Sequence, residues 1–528
     1  MSRRADRARR AGRNRAGGNL PFSIRPGPRA VPRRVAAIRA SPKPRSDRSR
    51  RGRRPAPGPS ERAAAIRASV SGGFVADLGP LLVALSDPVP GVRQTAAVAL
   101  GLLRDPRARA TLETVLTDPD APVRAAAVDA IGAIGRNESR PIVERTLDDP
   151  DASVRARAAY ALAVYAHPRS VEALASHRAD PDPEVRRAIA TALGRIDAAE
   201  ARPVLRGMLA DPYERVRREA VLGLGRRPTP GELGTLRPFL HDPSRRVRVG
   251  AAVVLGRHHD RESVADLLEL LRTPGTWEKP AILVALGRIG DPRALPELVA
   301  AADHAAPWVR VCAIHALGEM RAPAGATVAR EHLTDPAWSV RGAAAVALGA
   351  VGNSADLPLL LERLRDEHPW PRRGAIYALG RLGLTESAPR IRDELEDRTA
   401  EVRLAAVWAL GRLGDDGARE GLVRLLHESR PDGPVTAVEV PEEKSRLRSD
   451  AESRLFDAVV QALGRLAHGI PDPLVRRALM EARERLSDEE LDRRARLPMP
   501  EIERDAEPPT VRRLFERAIP SGVEDDEP

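Results

Sequence analysis

The side chains best placed by type and spacing to do chemistry form a ladder of opposite charges. Arginine recurs at Arg93, Arg124, Arg155, Arg186, Arg217, Arg248, Arg310, Arg341, Arg372 and Arg403, always on a 31-residue step, and Lys279 fills the one gap. Six residues earlier stand Asp87, Asp118, Asp149, Asp180, Asp211, Asp242, Asp335, Asp366 and Asp397; only Thr273 and His304 break that series. A row of cations can grip an acidic polymer. Carboxylates of the same period make pairing within or between adjacent repeats the simpler expectation, so the ladder reads as structural. Single exposed pairs contribute about 0–1 kcal/mol, enough to fix the orientation of a repeat rather than to drive its folding.

A second constellation is aromatic. Trp277, Trp308 and Trp370 stand two residues before the basic position of their repeats, and Trp338 three before, so four of the 5 tryptophans fall in consecutive repeats. On a helix, positions one, five and nine after the basic residue share a stripe. In the last two regular repeats this stripe carries Arg373, Tyr377 and Arg381, then Trp408 and Arg412. Tryptophan, tyrosine and arginine are the types enriched at binding hot spots. The spacing therefore marks the repeats at 270–415 as a candidate surface for an acidic or aromatic-bearing protein segment. The competing reading, rings that fill gaps between repeats, is left open by the sequence.

Catalytic chemistry finds less support. His427-Glu428 is a lone dipeptide, His258-His259 falls at a helix end, and His167, His177, His315 and His468 occupy unlike positions in their repeats. No phosphate-binding glycine loop, C-x-x-C or G-x-S-x-G turn occurs. No catalytic, metal or cofactor residue is assigned, and the expectation leans away from an enzyme.

The elements that must position these side chains follow from one motif, D-P-x-x-x-V-R-x-x-A-x-x-A-L-G, preceded by a second apolar-periodic stretch such as Ala108 to Leu116. Apolar spacing of three and four residues predicts helices. Asp-Pro breaks the chain between them, and the Asp carboxylate is expected to accept backbone N–H groups at the start of the second helix. Gly135, Gly290, Gly352, Gly383 and Gly414, eleven residues after the basic position, are expected as C-caps. Positions three, six and seven after the basic residue are small or aliphatic and read as buried.

Composition agrees with a chain of close-packed helices. Of 528 residues only 3% are aromatic, while the apolar 42% is carried largely by Ala, Leu and Val. The net charge of +12 is uneven. Residues 1–60 hold 19 Lys/Arg and 2 Asp/Glu, leaving 67 basic and 72 acidic groups to a mildly acidic body. No apolar run approaches about 18 residues, so no membrane span is expected. A single Cys312 permits no internal disulfide, and with no secretory-type apolar core near the N-terminus the cytoplasm is the default compartment.

The repeat motif resembles HEAT repeats, in particular the short variety of phycobilisome-lyase-like proteins. The resemblance covers about residues 61–427 and resumes near 455–490. It implies an all-α fold, an α-solenoid: a right-handed stack of about 12–13 two-helix repeats whose second helices line a concave side. Deoxyhypusine hydroxylase, an enzyme with such repeats, binds two irons through several His-Glu dipeptides; one dipeptide here does not furnish that site. The expected organisation is a basic disordered tail over 1–60, the solenoid over 61–427, a polar insertion loop over 428–451, closing helices over 452–494 and an acidic disordered tail over 495–528. The first segment can bind nucleic acid, act as an inert tether, or lie upstream of the true translation start. The expected function is a non-enzymatic scaffold that binds another protein through its concave surface. The alternatives are a nucleic-acid-associated protein using the basic tail, and a lyase-type or enzyme-accessory protein.

Overall fold

The computed structural model describes residues 58–70, 77–229, 231–273, 278–428, 458–459 and 462. The expected insertion loop, closing helices and both tails lie outside these residues, apart from 58–60, 428, 458, 459 and 462. Within the described residues every regular element is a helix. They group into two compact segments, one ending at Ile134 and the other beginning at Gly135.

Each repeat is a short helix followed by a longer one. In the first segment Pro59–Val70 packs on Pro90–Leu103, which packs on Ala121–Ile134. In the second segment the same side-by-side packing runs from Ala152–Tyr165 through Pro183–Arg195, Glu214–Leu224, Arg245–Arg257, Lys279–Ile289, Pro307–Met320, Trp338–Val351 and Pro369–Leu382 to Ala400–Leu413. The short helices, such as Leu295–Ala302 and Leu357–Arg363, begin with one turn of 3₁₀ helix and cover one side of this row. The result is an all-α solenoid. Its core is the seam between neighbouring long helices, where Ala96, Ala99, Leu100, Ala344, Ala347 and Leu348 are buried.

Helix ends follow local rules with two departures from expectation. The repeat aspartate does not bond the first turn of the long helix. It accepts the amide two residues on, as Asp118 does from Asp120 and Asp149 from Asp151. Where that second residue is also Asp, as at Asp151 and Asp182, its own carboxylate caps the helix. The second departure is Gly352. Gly135, Gly290, Gly383 and Gly414 adopt left-handed φ near 70°, but Gly352 is extended, with a φ of −80° and ψ of −174°. There Asn353 and Asp356 form a capping box for the next turn instead.

The left-handed cap belongs to the register, not to glycine. Arg104, Ala166, His259 and Arg321 occupy the same position, eleven after the basic residue, and take φ of 48–52°. An L side chain there costs about 1–2 kcal/mol, partly offset by the unfolded-state entropy that glycine adds. Ala166→Gly is therefore expected to stabilise the protein by about 0.5–1 kcal/mol, checked by urea unfolding.

Candidate partner-binding surface

The charge ladder is built between repeats. Arg62 bonds Asp87 and Arg93 bonds Asp118 in the first segment. In the second, Arg155 pairs with Asp180, Arg186 with Asp211, Arg217 with Asp242, Arg310 with Asp335, Arg341 with Asp366 and Arg372 with Asp397, all at 2.7–2.9 Å. Each guanidinium thus faces the aspartate of the following repeat. Its Nη1 turns back and donates to the carbonyl of its own repeat's residue at the aspartate position, as from Arg341 to Asp335 at 3.0 Å. Arg248 has no aspartate ahead because Thr273 stands there, and it bonds Glu278 instead. These ladder arginines are therefore occupied, which leaves little of them for an external acidic polymer to take.

The aromatic residues divide into two groups. Trp308 and Trp338 are exposed at 39% and 43%. Trp338 stacks on His368 of the next repeat, with centroids 3.8 Å apart and planes at 15°. The His368 Nδ1 accepts the Trp370 amide at 3.2 Å, and burial, foremost, lowers the ring's pKa, so a neutral imidazole faces the indole. The sequence did not single out His368; its position four residues before Arg372 was the available signal. Trp277 lies outside the described residues.

Trp370, Tyr377 and Trp408 are buried, and this corrects the expectation that their rings greet a partner directly. A Cβ at Gly342 would lie 1.8 Å from Trp370 Cδ1, so the indole occupies space that only glycine leaves. Its Nε1 is buried with no hydrogen-bond partner among the described residues. Tyr377, 3% exposed, stacks at 5.0 Å on Trp408, 6% exposed. Such pairing is worth about 0.5–1.5 kcal/mol beyond area burial. These rings fill the seam between repeats.

Above them lie arginines. The Arg373 guanidinium sits 4.8 Å from the Trp370 centroid, and that of the exposed Arg412 sits 5.8 Å from Trp408. Arg381 donates to the Tyr377 hydroxyl at 3.0 Å, and Arg412 Nε donates to the Gly380 carbonyl at 3.0 Å. The helices Pro369–Leu382 and Ala400–Leu413 thus hold Arg373 over Trp370, and Arg381 and Arg412 at the Tyr377–Trp408 stack. Chemically, this is a set of oriented donors suited to carboxylates and to π faces.

Metal-ligating side chains are not gathered. Among the described residues no three His, Cys, Asp or Glu side chains are placed to hold an ion, and the side chains of His427 and Glu428 lie outside the description. Burial pushes the Cys312 thiol up to about 12, which keeps it protonated and unreactive at neutral pH. No described helix is long and apolar enough to cross a membrane.

Comparison with known proteins bears on the fold. No curated protein matches the sequence. Yeast importin-β superposes with a TM-score of 0.53 at 12% identity, over 93% of this chain and 72% of that one. The phycocyanin lyase complex of a Nostoc species shares 22% identity over 43% of this chain and 94% of that one, with a TM-score of 0.30. Human deoxyhypusine hydroxylase shares 25% over 46% and 96%, with a TM-score of 0.23. At those scores neither enzyme bears on activity here. The family description "HEAT repeats" matches residues 78–163, 139–225, 208–281, 233–310, 278–349, 296–380 and 357–439. With most of its length so matched and its long helices stacked repeat upon repeat, this chain belongs to the HEAT-repeat family.

Proposed function

We propose that this protein is a binding scaffold that holds a partner protein on the stripe at residues 369–412. The observation that carries this reading is the mounting of Arg373, Arg381 and Arg412 on the buried Trp370, Tyr377 and Trp408 rings. Core packing alone requires the rings and does not require three guanidiniums over them. Because Arg381 and Arg412 are each held by a hydrogen bond, a ligand would lose less side-chain entropy in fixing them. The partner chemistry that fits is an acidic or aromatic-bearing segment. The exposed Trp308 and Trp338 extend the surface toward the preceding repeats.

The test uses the accessible cations rather than the rings, whose removal would damage the seam. Arg381→Glu with Arg412→Glu is expected to weaken partner capture from the native host at least tenfold, on the order of 1.4 kcal/mol. The melting temperature should move little, since Arg412 is exposed and Arg381 half-buried. Undiminished capture of the same partner by the double variant would sink the proposal.

A further inference from the structure

A different run of arginines lies half a helical turn from the ladder. Nine residues after the basic position, four consecutive repeats carry Arg195, Arg226, Arg257 and Arg288. Nine residues are two and a half turns, so these side chains point away from the Asp-facing side of the same helices. Among the described residues, the Arg195, Arg226 and Arg257 side chains have no ion pair and no hydrogen bond. Instead they face one another. Burial, then the Arg195 charge, lowers the Arg226 pKa against the pull of Glu219, and burial with the Arg288 and Arg226 charges lowers that of Arg257. The ladder guanidiniums Arg155, Arg186, Arg217 and Arg341 shift the opposite way, each raised first by its Asp partner.

Arg226 and Arg257 line a groove floored by Thr191, Gly194, Gly223 and Leu222. Gly194 and Gly223 let the two helices touch: a Cβ on Gly194 would lie 2.7 Å from the Gly223 Cα. The floor therefore combines exposed backbone with Thr191 and the apolar Leu222 and Val254. Glu219, the acidic group in the groove, is already held by Arg218 at 2.9 Å and by the Thr191 hydroxyl at 3.4 Å. Further along the row, Arg288 neighbours His315 and Glu319.

We propose that the Arg195–Arg226–Arg257 column is a binding site for an extended acidic segment of another polypeptide, which it holds through one carboxylate per arginine. Like charges gathered at one groove, whose acidic lining group Glu219 is already bonded to Arg218 and Thr191, repel one another in the free protein, and an incoming polyanion relieves that repulsion. The spacing suits a peptide. Packed helices lie about 8–10 Å apart, and a chain in the polyproline II form advances about 3.1 Å per residue with three residues per turn, so carboxylates three residues apart share one face and meet successive arginines. A single-stranded nucleic acid fits less well. The neighbouring five-position column reads Thr191, Leu222 and Val253 here, with no ring on which a base can stack.

The experiment uses the full chain and three labelled probes of equal charge: a peptide with Glu at every third residue, a peptide with the same glutamates in one block, and a single-stranded oligonucleotide. Residues 1–60 carry 19 basic groups and attract any polyanion, so the local readout is protection of Arg226 and Arg257 from phenylglyoxal, mapped by mass spectrometry. The spaced peptide should protect both, and do so at lower concentration than the block peptide or the oligonucleotide. Arg226→Gln with Arg257→Gln should weaken binding of the spaced peptide at least tenfold and leave the melting temperature equal or higher, because mutual repulsion is removed. A lower melting temperature with binding retained would assign the column to structure and overturn the proposal, as would stronger protection by the oligonucleotide. Arg381→Glu with Arg412→Glu should leave this protection unchanged, which separates failure here from failure of the stripe at 369–412.

Discussion

Replacing Arg341 by alanine is expected to destabilise the protein toward the low end of the range of about 3–5 kcal/mol typical of breaking a buried pair. Arg341 makes two bonds to Asp366, at 2.7 and 2.9 Å, and two to the carbonyls of Asp335 and Pro336. Its loss leaves the Asp366 carboxylate, 2% exposed, without its main partner. Arg363, 3.4 Å away, softens the loss. The exposed pair between Arg424 and Glu396, at 3.6 Å, is the control, and Arg424→Ala should leave the denaturation midpoint unchanged.

The same variant has a pH signature. Burial alone would raise the Asp366 carboxyl, but bonds from Arg341 and the His368 amide, with the Arg341 and Arg363 charges, outweigh it and leave the pKa lowered. A carboxyl lowered on folding contributes stability that is complete above its unfolded value of about 3.9. That contribution is lost as pH falls through the lower folded value. Without Arg341 the burial effect prevails, so an ionised Asp366 opposes folding at neutral pH and ceases to do so once protonated. The stability gap between wild type and variant should therefore narrow between pH 7 and pH 3. A gap independent of pH would show that the cost comes from lost packing of the Arg341 stem instead.

Gly287→Ala is expected to destabilise by about 1–3 kcal/mol, against the usual sign of such a change. In an open helix interior, glycine to alanine gains about 0.5–1 kcal/mol. Gly287 lies inside Lys279–Ile289, and a Cβ there would stand 2.5 Å from the Ala316 Cα and 2.6 Å from its Cβ. Neither is the end of a flexible side chain, so the two long helices must part. Gly256 against Ala285 and Gly349 against Ala378 repeat the contact, at 2.6 and 2.9 Å to the Cα. Gly207, in the helix Ala201–Met208 with nothing within 4 Å, supplies the contrast. Gly207→Ala should stabilise, and urea midpoints moving in the same direction for both variants would refute this account of the seam.

The A-L-G motif holds one residue set by its own helix and one set by the neighbouring helix. The buried leucine was legible from its helical period, because a period states which side of a helix is apolar. The glycine after it was not, because it marks where a neighbouring backbone arrives, and no pattern within one repeat contains its neighbour. The cross-repeat contact explains it: Gly101, Gly256, Gly287, Gly318, Gly349 and Gly380 each face the alanine six after the basic position of the following repeat, and Gly225 faces Val254 there.

By itself the sequence determined the 31-residue register, the pair of helices in each repeat, and the common row of Arg and Asp, since these depend on local propensity and spacing along one chain. It left open whether each arginine turns to its own or the adjacent aspartate. The tertiary structure decided that by setting successive long helices so close that the guanidinium spans to the next repeat while keeping its own carbonyls. It also decided the fate of the rings. Trp370 sits on the gap left by Gly342, and Tyr377 and Trp408 close on each other, so burial passed to the aromatics and access to Arg381 and Arg412. Helical spacing could place all of these on one stripe. Only the adjacent repeat, by covering part of that stripe, determined which of them a partner can touch.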